Sequence, residues 1–138
     1  MTLPALQDIF DEFEMLDGED RYGLLIDLGR QLEPMPDALK TDATKVQGCS
    51  ASVWVYPTVR EGRLHFLADS NAAITKGVVA LILSAVQDKA AAEIAQMDIP
   101  RALAPFELSK HLSANRTQGV PNMIALVRQT AERYASAA

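Results

Sequence analysis

The chain has 138 residues, 49% of them hydrophobic and 22% charged, a balance that fits one globular domain and excludes a disordered chain. Its formal net charge is -5, from 13 basic and 18 acidic residues with no basic run, which speaks against nucleic acid as a partner because phosphate neutralisation needs clustered Lys and Arg. One cysteine cannot close an intramolecular disulfide, and two widely separated histidines, His65 and His111, give no metal-ligand spacing, so a zinc site or an iron-sulfur scaffold on protein ligands alone is disfavoured.

Residues 1–8 lack the positive start and apolar core of a secretory signal, and the expectation is a cytoplasmic protein. Leu3, Leu6, Phe10 and Phe13 recur at helical spacing, and Tyr22, Leu25, Leu28 and Leu32 repeat the pattern after the Asp17-Gly18 break. Two amphipathic helices are predicted. Pro34 and Pro36 end the second, and Asp37 to Lys45 reads as a polar loop.

The pattern then changes. Val53-Trp54-Val55-Tyr56 and Arg63-Leu64-His65-Phe66-Leu67 are rich in β-branched and aromatic residues around a Glu61-Gly62 turn, which predicts an antiparallel hairpin. Pro57 has no ladder donor, so its strand is expected to end there or to lie at an edge. His65, opposite the Leu64 and Phe66 face, is expected on the surface, and Trp54 and Tyr56 read as sheet packing.

Ser70 is placed to cap a long helix starting near Asn71, with Asp69 beside it in the same role. Apolar residues on nearly every side of that helix put it in the middle of the core, and its stretch Gly77 to Val86 is too short for the roughly 20 residues that cross a bilayer. Lys89 to Gln96 reads as a short helix, Pro100 and Pro105 interrupt the next stretch, and a last amphipathic helix carries Val120, Met123, Ile124, Val127, Ala131 and Tyr134. The order α-α-β-β-α-α-α predicts an α+β fold, a small antiparallel sheet packed against several helices, over residues 1–138.

Cys49 lies between the loop and the first strand, in Val46-Gln47-Gly48-Cys49-Ser50-Ala51-Ser52-Val53-Trp54. Small neighbours leave a thiol accessible, and Gly48 lets the backbone turn and a partner approach. The alternative for a lone cysteine is an inert, buried small hydrophobe. Both readings stand on these residues alone.

This segment resembles the active-cysteine segment of the SufE family of sulfur acceptors, which includes the CsdE proteins. Ala68 to Gly77 is similar to the family's helix-entry motif, and Leu112-Ser113-Ala114-Asn115-Arg116-Thr117-Gln118-Gly119 to its C-terminal motif. Ala51, Asn71 and Asn115 depart from the family's usual Ser, Asp and Ser without removing the nucleophile. The resemblance implies a SufE/IscU-like fold and a chain that is not itself an enzyme. It implies a covalent carrier whose Cys49 takes persulfide sulfur from a cysteine desulfurase, SufS- or CsdA-like, and stimulates it.

Sulfur would pass to an iron-sulfur cluster scaffold such as a SufBCD-type complex, or by a CsdE-like route towards tRNA modification. No cofactor is expected on this chain, since pyridoxal phosphate belongs to the desulfurase. Arg116 is the candidate to stabilise a thiolate or persulfide anion, with a structural Arg before the last helix as the alternative. His111 is a weaker candidate for proton transfer, with a polar loop residue as its alternative. Exchange between sulfurs needs one accessible thiolate and no resolving cysteine. The small residues Gly48 to Ser52 are expected to swing outward when the desulfurase docks.

Overall fold

The computed structural model describes residues 3–49, 51–112 and 117–137. Helices α1 (Leu6–Met15) and α2 (Glu19–Gly29) open the chain, as the apolar spacing predicts, and bury Ile9 and Phe13 from the first and Leu25 and Leu28 from the second. Strands β1 (Val53–Arg60) and β2 (Arg63–Ser70) pair antiparallel in a register running from Val53 opposite Ser70 to Arg60 opposite Arg63. Glu61 and Gly62 make the tight turn between them, both with positive φ of 54° and 77°, the backbone that a two-residue hairpin requires.

Helix α3 (Ala73–Val86) fills the centre, with Ala80, Leu81, Ile82 and Leu83 at 0% exposure. It crosses α2 backbone against backbone. A Cβ on Gly77 would stand 2.5 Å from the Leu25 carbonyl carbon and 2.9 Å from its Cβ, and one on Gly29 would stand 2.9 Å from the Gly77 nitrogen. Only glycine permits that approach of α3 to α2.

After α3 come the two-residue strand β3 (Lys89–Ala90), α4 (Ala91–Gln96), α5 (Ile99–Leu103), α6 (Leu108–His111) and α7 (Val120–Ala137). The sheet order is β1-β2-β3. Phe106 packs edge-on against Phe10 and Phe13 at ring distances of 5.4 and 5.3 Å, joining the later helices to α1. Buried residues of α1, α2, both long strands, α3, α5 and α7 form one contiguous apolar core. The fold is α+β, as expected.

Three local expectations are corrected and a fourth is met. Lys89 and Ala90 are a strand before the α4 helix, because they pair with Arg63 and Leu64 of β2. Pro57 meets the expectation of an edge: it sits opposite Phe66 within β1, the edge strand of the sheet, without ending it.

The second correction concerns the cap. Residue Ala72, not Ser70, precedes α3, without a side-chain cap; Ser70 closes β2, and its Oγ accepts from the Ala72 N–H at 3.3 Å. Asp69 is taken up instead by Lys40 at 2.7 Å and Lys76 at 3.2 Å.

Third, His65 is buried, at 8% exposure, because β2 is the middle strand and both its faces are covered. One ring nitrogen pairs with Asp88 at 2.7 Å and the other with Glu33 at 3.1 Å. Arg60 also holds Glu33, at 3.0 Å. With burial opposing and His65 assisting, Arg60 keeps the Glu33 carboxyl below its usual range.

Candidate functional site

The cysteine segment is an excursion from the sheet whose two ends are tied. The Val46 N–H donates to the Val53 carbonyl at 2.8 Å, and the Val55 N–H to the Thr44 carbonyl at 2.9 Å, so residues 44–46 run beside the start of β1. Where the excursion rejoins the strand, the Ser52 N–H donates to the Asn71 Oδ1 at 3.1 Å, and the Asn71 N–H returns a bond to the Ser52 carbonyl at 3.3 Å. Between these ties, Gly48 lies against Asn122 of α7, and Cys49 and Ala51 face residues of α3 and α7. Gly48 turns the chain with a φ of 82°, in the left-handed region that favours glycine.

That turn delivers the half-buried Cys49 side chain against Gly119, just before α7. A Cβ on Gly119 would overlap the Cys49 Sγ and lie 3.0 Å from its Cβ and 3.2 Å from its Cα. Gly119 is not in the left-handed region, so glycine is required there for space alone.

The sulfur faces a cavity of about 20 Å3, room for about one water-sized group. Its walls are Val78, Val79, Ile82 and Thr75 of α3, Val120 and Met123 of α7, and Ala51 and Val53 beside the cysteine. Among the described residues, Thr75 carries the only hydroxyl on this wall, and no charged side chain lines it. Burial accordingly pushes the Cys49 thiol above its ordinary pKa, and at neutral pH the resting group is the neutral thiol.

The charges lie to one side, beneath the strand that leaves the cysteine segment. Asp69, opposite Trp54 in the hairpin register, binds Lys40 and Lys76, and the Lys40 ammonium sits 5.8 Å over the Trp54 ring. Burial pushes the Asp69 carboxyl up, but Lys40, the Ser70 N–H and Lys76 together outweigh it and hold the group below its usual range. This network braces β1 and the start of α3, the two elements that frame the cavity.

Of the three site residues expected from the sequence, Cys49 is at the cavity. His111 ends α6, but its side chain lies outside the described residues, as does the whole of Arg116. Sequence reasoning gave no role to Gly119 or to Asn122. Gly119 was visible as the last residue of the C-terminal motif. Asn122 carried no signal, being one polar residue in the first turn of an amphipathic helix.

The SufE family, described as an Fe-S metabolism associated domain, matches residues 7–131. A SufE-like protein of Rhizobium meliloti (strain 1021), itself uncharacterized, is 36% identical over 135 residues, spanning 94% of this chain and 96% of that protein. The sulfur acceptor protein CsdE of Escherichia coli (strain K12) is 45% identical over 104 residues, 74% of this chain and 70% of its own length. In structure, a hypothetical protein from Thermus thermophilus has the same fold with a TM-score of 0.77, at 16% identity and 99% coverage of both chains. With the family match running through nearly all of its elements and around its single cysteine, the chain belongs to the SufE family.

Proposed function

We propose that this protein is a sulfur acceptor that takes one sulfur atom from the persulfide of a cysteine desulfurase onto Cys49 and carries it to iron-sulfur cluster assembly. The observation that carries the reading is the seat of Cys49: a lone thiol, turned by Gly48 against Gly119, facing an apolar cavity with room for about one small group. The name of the CsdE relative supports it from a second side.

Transfer is an exchange between sulfurs. The Cys49 thiol loses its proton to solvent, and the thiolate attacks the terminal sulfur of the desulfurase persulfide. The new bond joins Cys49 to that sulfur, the old S–S bond breaks, and the desulfurase cysteine leaves as thiolate. No net oxidation occurs. With no second cysteine in the chain, the product cannot resolve into an intramolecular disulfide.

The cavity serves the interval between transfers. A persulfide is readily reduced or oxidised, and packing its outer sulfur among Val78, Val79 and Ile82 withholds it from water-borne reagents. The same packing disfavours thiolate, so attack requires Cys49 to leave the pocket, and docking of the desulfurase supplies that movement and stimulates its turnover. Pyridoxal phosphate belongs to the partner, and a SufBCD-type complex is the proposed receiver.

Intact mass after incubation with a cysteine desulfurase, pyridoxal phosphate and cysteine tests the reading. A reductant-sensitive gain of sulfur in wild type and none in a folded Cys49→Ser variant is expected. A gain that survives in Cys49→Ser would overturn the assignment.

A further inference from the structure

Helix α7 holds the cysteine segment by a second device besides the pocket. Asn122, in its first turn, donates from Nδ2 to the Gln47 carbonyl at 3.0 Å, a bond between residues 75 positions apart. The same amide lies over Gly48, where a Cβ would overlap the Nδ2 and come within 3.3 Å of the Asn122 Cγ. Gly48 therefore meets two demands at once: the left-handed turn that aims Cys49, and the close seat of the Asn122 amide. Sequence position 47 precedes Cys49 by two residues, so the bond fixes the approach of the chain to the sulfur.

We propose that Asn122 is a positioning residue for Cys49: its amide ties the Gln47-Gly48 backbone to α7 and sets how much of the time the sulfur sits in its cavity. The role of the tie rests on the proposed sulfur acceptance, whereas its existence can be tested without it. The tie is well placed to act as a threshold. It is exposed at the surface, so a docking protein can compete for the Gln47 carbonyl or the Asn122 amide. It is also a single bond, so its loss leaves the core of α7, built on Met123, Val127 and Ala131, intact.

Two substitutions separate positioning from general stability. Asn122→Ala removes the donor. Asn122→Asp keeps the shape, replaces the donor by a carboxylate that repels the Gln47 carbonyl, and adds a negative charge in the first turn of a helix, where it is favourable. The rate of Cys49 alkylation by iodoacetamide is measured on the free full-length protein from neutral to alkaline pH, with thermal midpoints alongside.

Both variants are expected to react about two- to ten-fold faster, the range that loss of one such hydrogen bond gives. The midpoint of the rate against pH should move down towards the ordinary thiol range, while the thermal midpoint stays at or above wild type for Asn122→Asp. Wild-type rates and midpoints in both variants would overturn the proposal, as would acceleration in Asn122→Ala alone, which would indicate lost bulk instead of a lost donor. Mass analysis with the desulfurase keeps the two readings apart. Sulfur on Cys49 with unchanged alkylation ends the tie but not the carrier, whereas faster alkylation in a protein that accepts no sulfur ends the carrier but not the tie.

Discussion

Gly119→Ala changes one hydrogen to a methyl and tests the seat of Cys49 directly. The added carbon would overlap the Cys49 Sγ and stand 3.0 and 3.2 Å from its Cβ and Cα, so rotation of the cysteine side chain alone does not clear it. Inserting a methyl(ene) into a packed site costs about 1–3 kcal/mol. Here the cost falls on the seated state of Cys49, because a sulfur that has left the pocket meets no methyl. The equilibrium between seated and exposed cysteine then shifts by about 5- to 150-fold, and alkylation should accelerate by that factor until it reaches the rate of an unhindered thiol.

The pH dependence has a definite sign. Burial raises the thiol pKa, so the seat contributes its full stabilisation below the ordinary thiol range and loses it as pH rises through the raised value. Gly119→Ala should bring the alkylation midpoint down to the ordinary range. The assay is intact mass against time with iodoacetamide at several pH values, with the thermal midpoint as a control for folding. An alkylation rate and midpoint equal to wild type in a folded Gly119→Ala protein would refute the reasoning, since the sulfur could not then be resting against residue 119.

Two further substitutions test the frame around the site. Gly77→Ala should lower the thermal midpoint by about 3 to 12 °C in calorimetry, because its methyl meets the Leu25 backbone where α2 and α3 touch. Asp69→Asn should flatten the acid side of the stability curve in denaturant titrations. The Asp69 carboxyl is held below its usual range, so its pairing stabilises the fold above the ordinary carboxylate range and is lost as pH falls through the lowered value. An equally steep acid slope in the variant would remove Asp69 from that role.

The elements that were legible in the sequence are those whose signal is local. Apolar residues all round α3 announced a central helix, and Glu61-Gly62 between two β-rich runs announced the hairpin. The features that escaped depend on partners distant in sequence. β3 is two residues long and exists only because β2 lies beside it. His65 follows the alternation of a half-exposed strand, yet Glu33 from beyond the end of α2 and Asp88 from the turn after α3 close over it. Asp69 stands where a capping residue belongs, but Lys40 from the loop before the cysteine segment takes its carboxylate. At the site, the cysteine and its small neighbours were readable, whereas the contact with Gly119 required knowing that α7 begins against the cysteine segment.

The edge position of Pro57 bears on self-association. The Val55 N–H points outward from the sheet, to Thr44, and strand geometry gives residues 57 and 59 the same outward direction. A second copy laid along this edge would look for three successive donors. The first is already taken by its own chain, and the second does not exist because residue 57 is proline. Only Val59 remains. Of three successive outward donors along this flank, a strand of a second copy would thus find one.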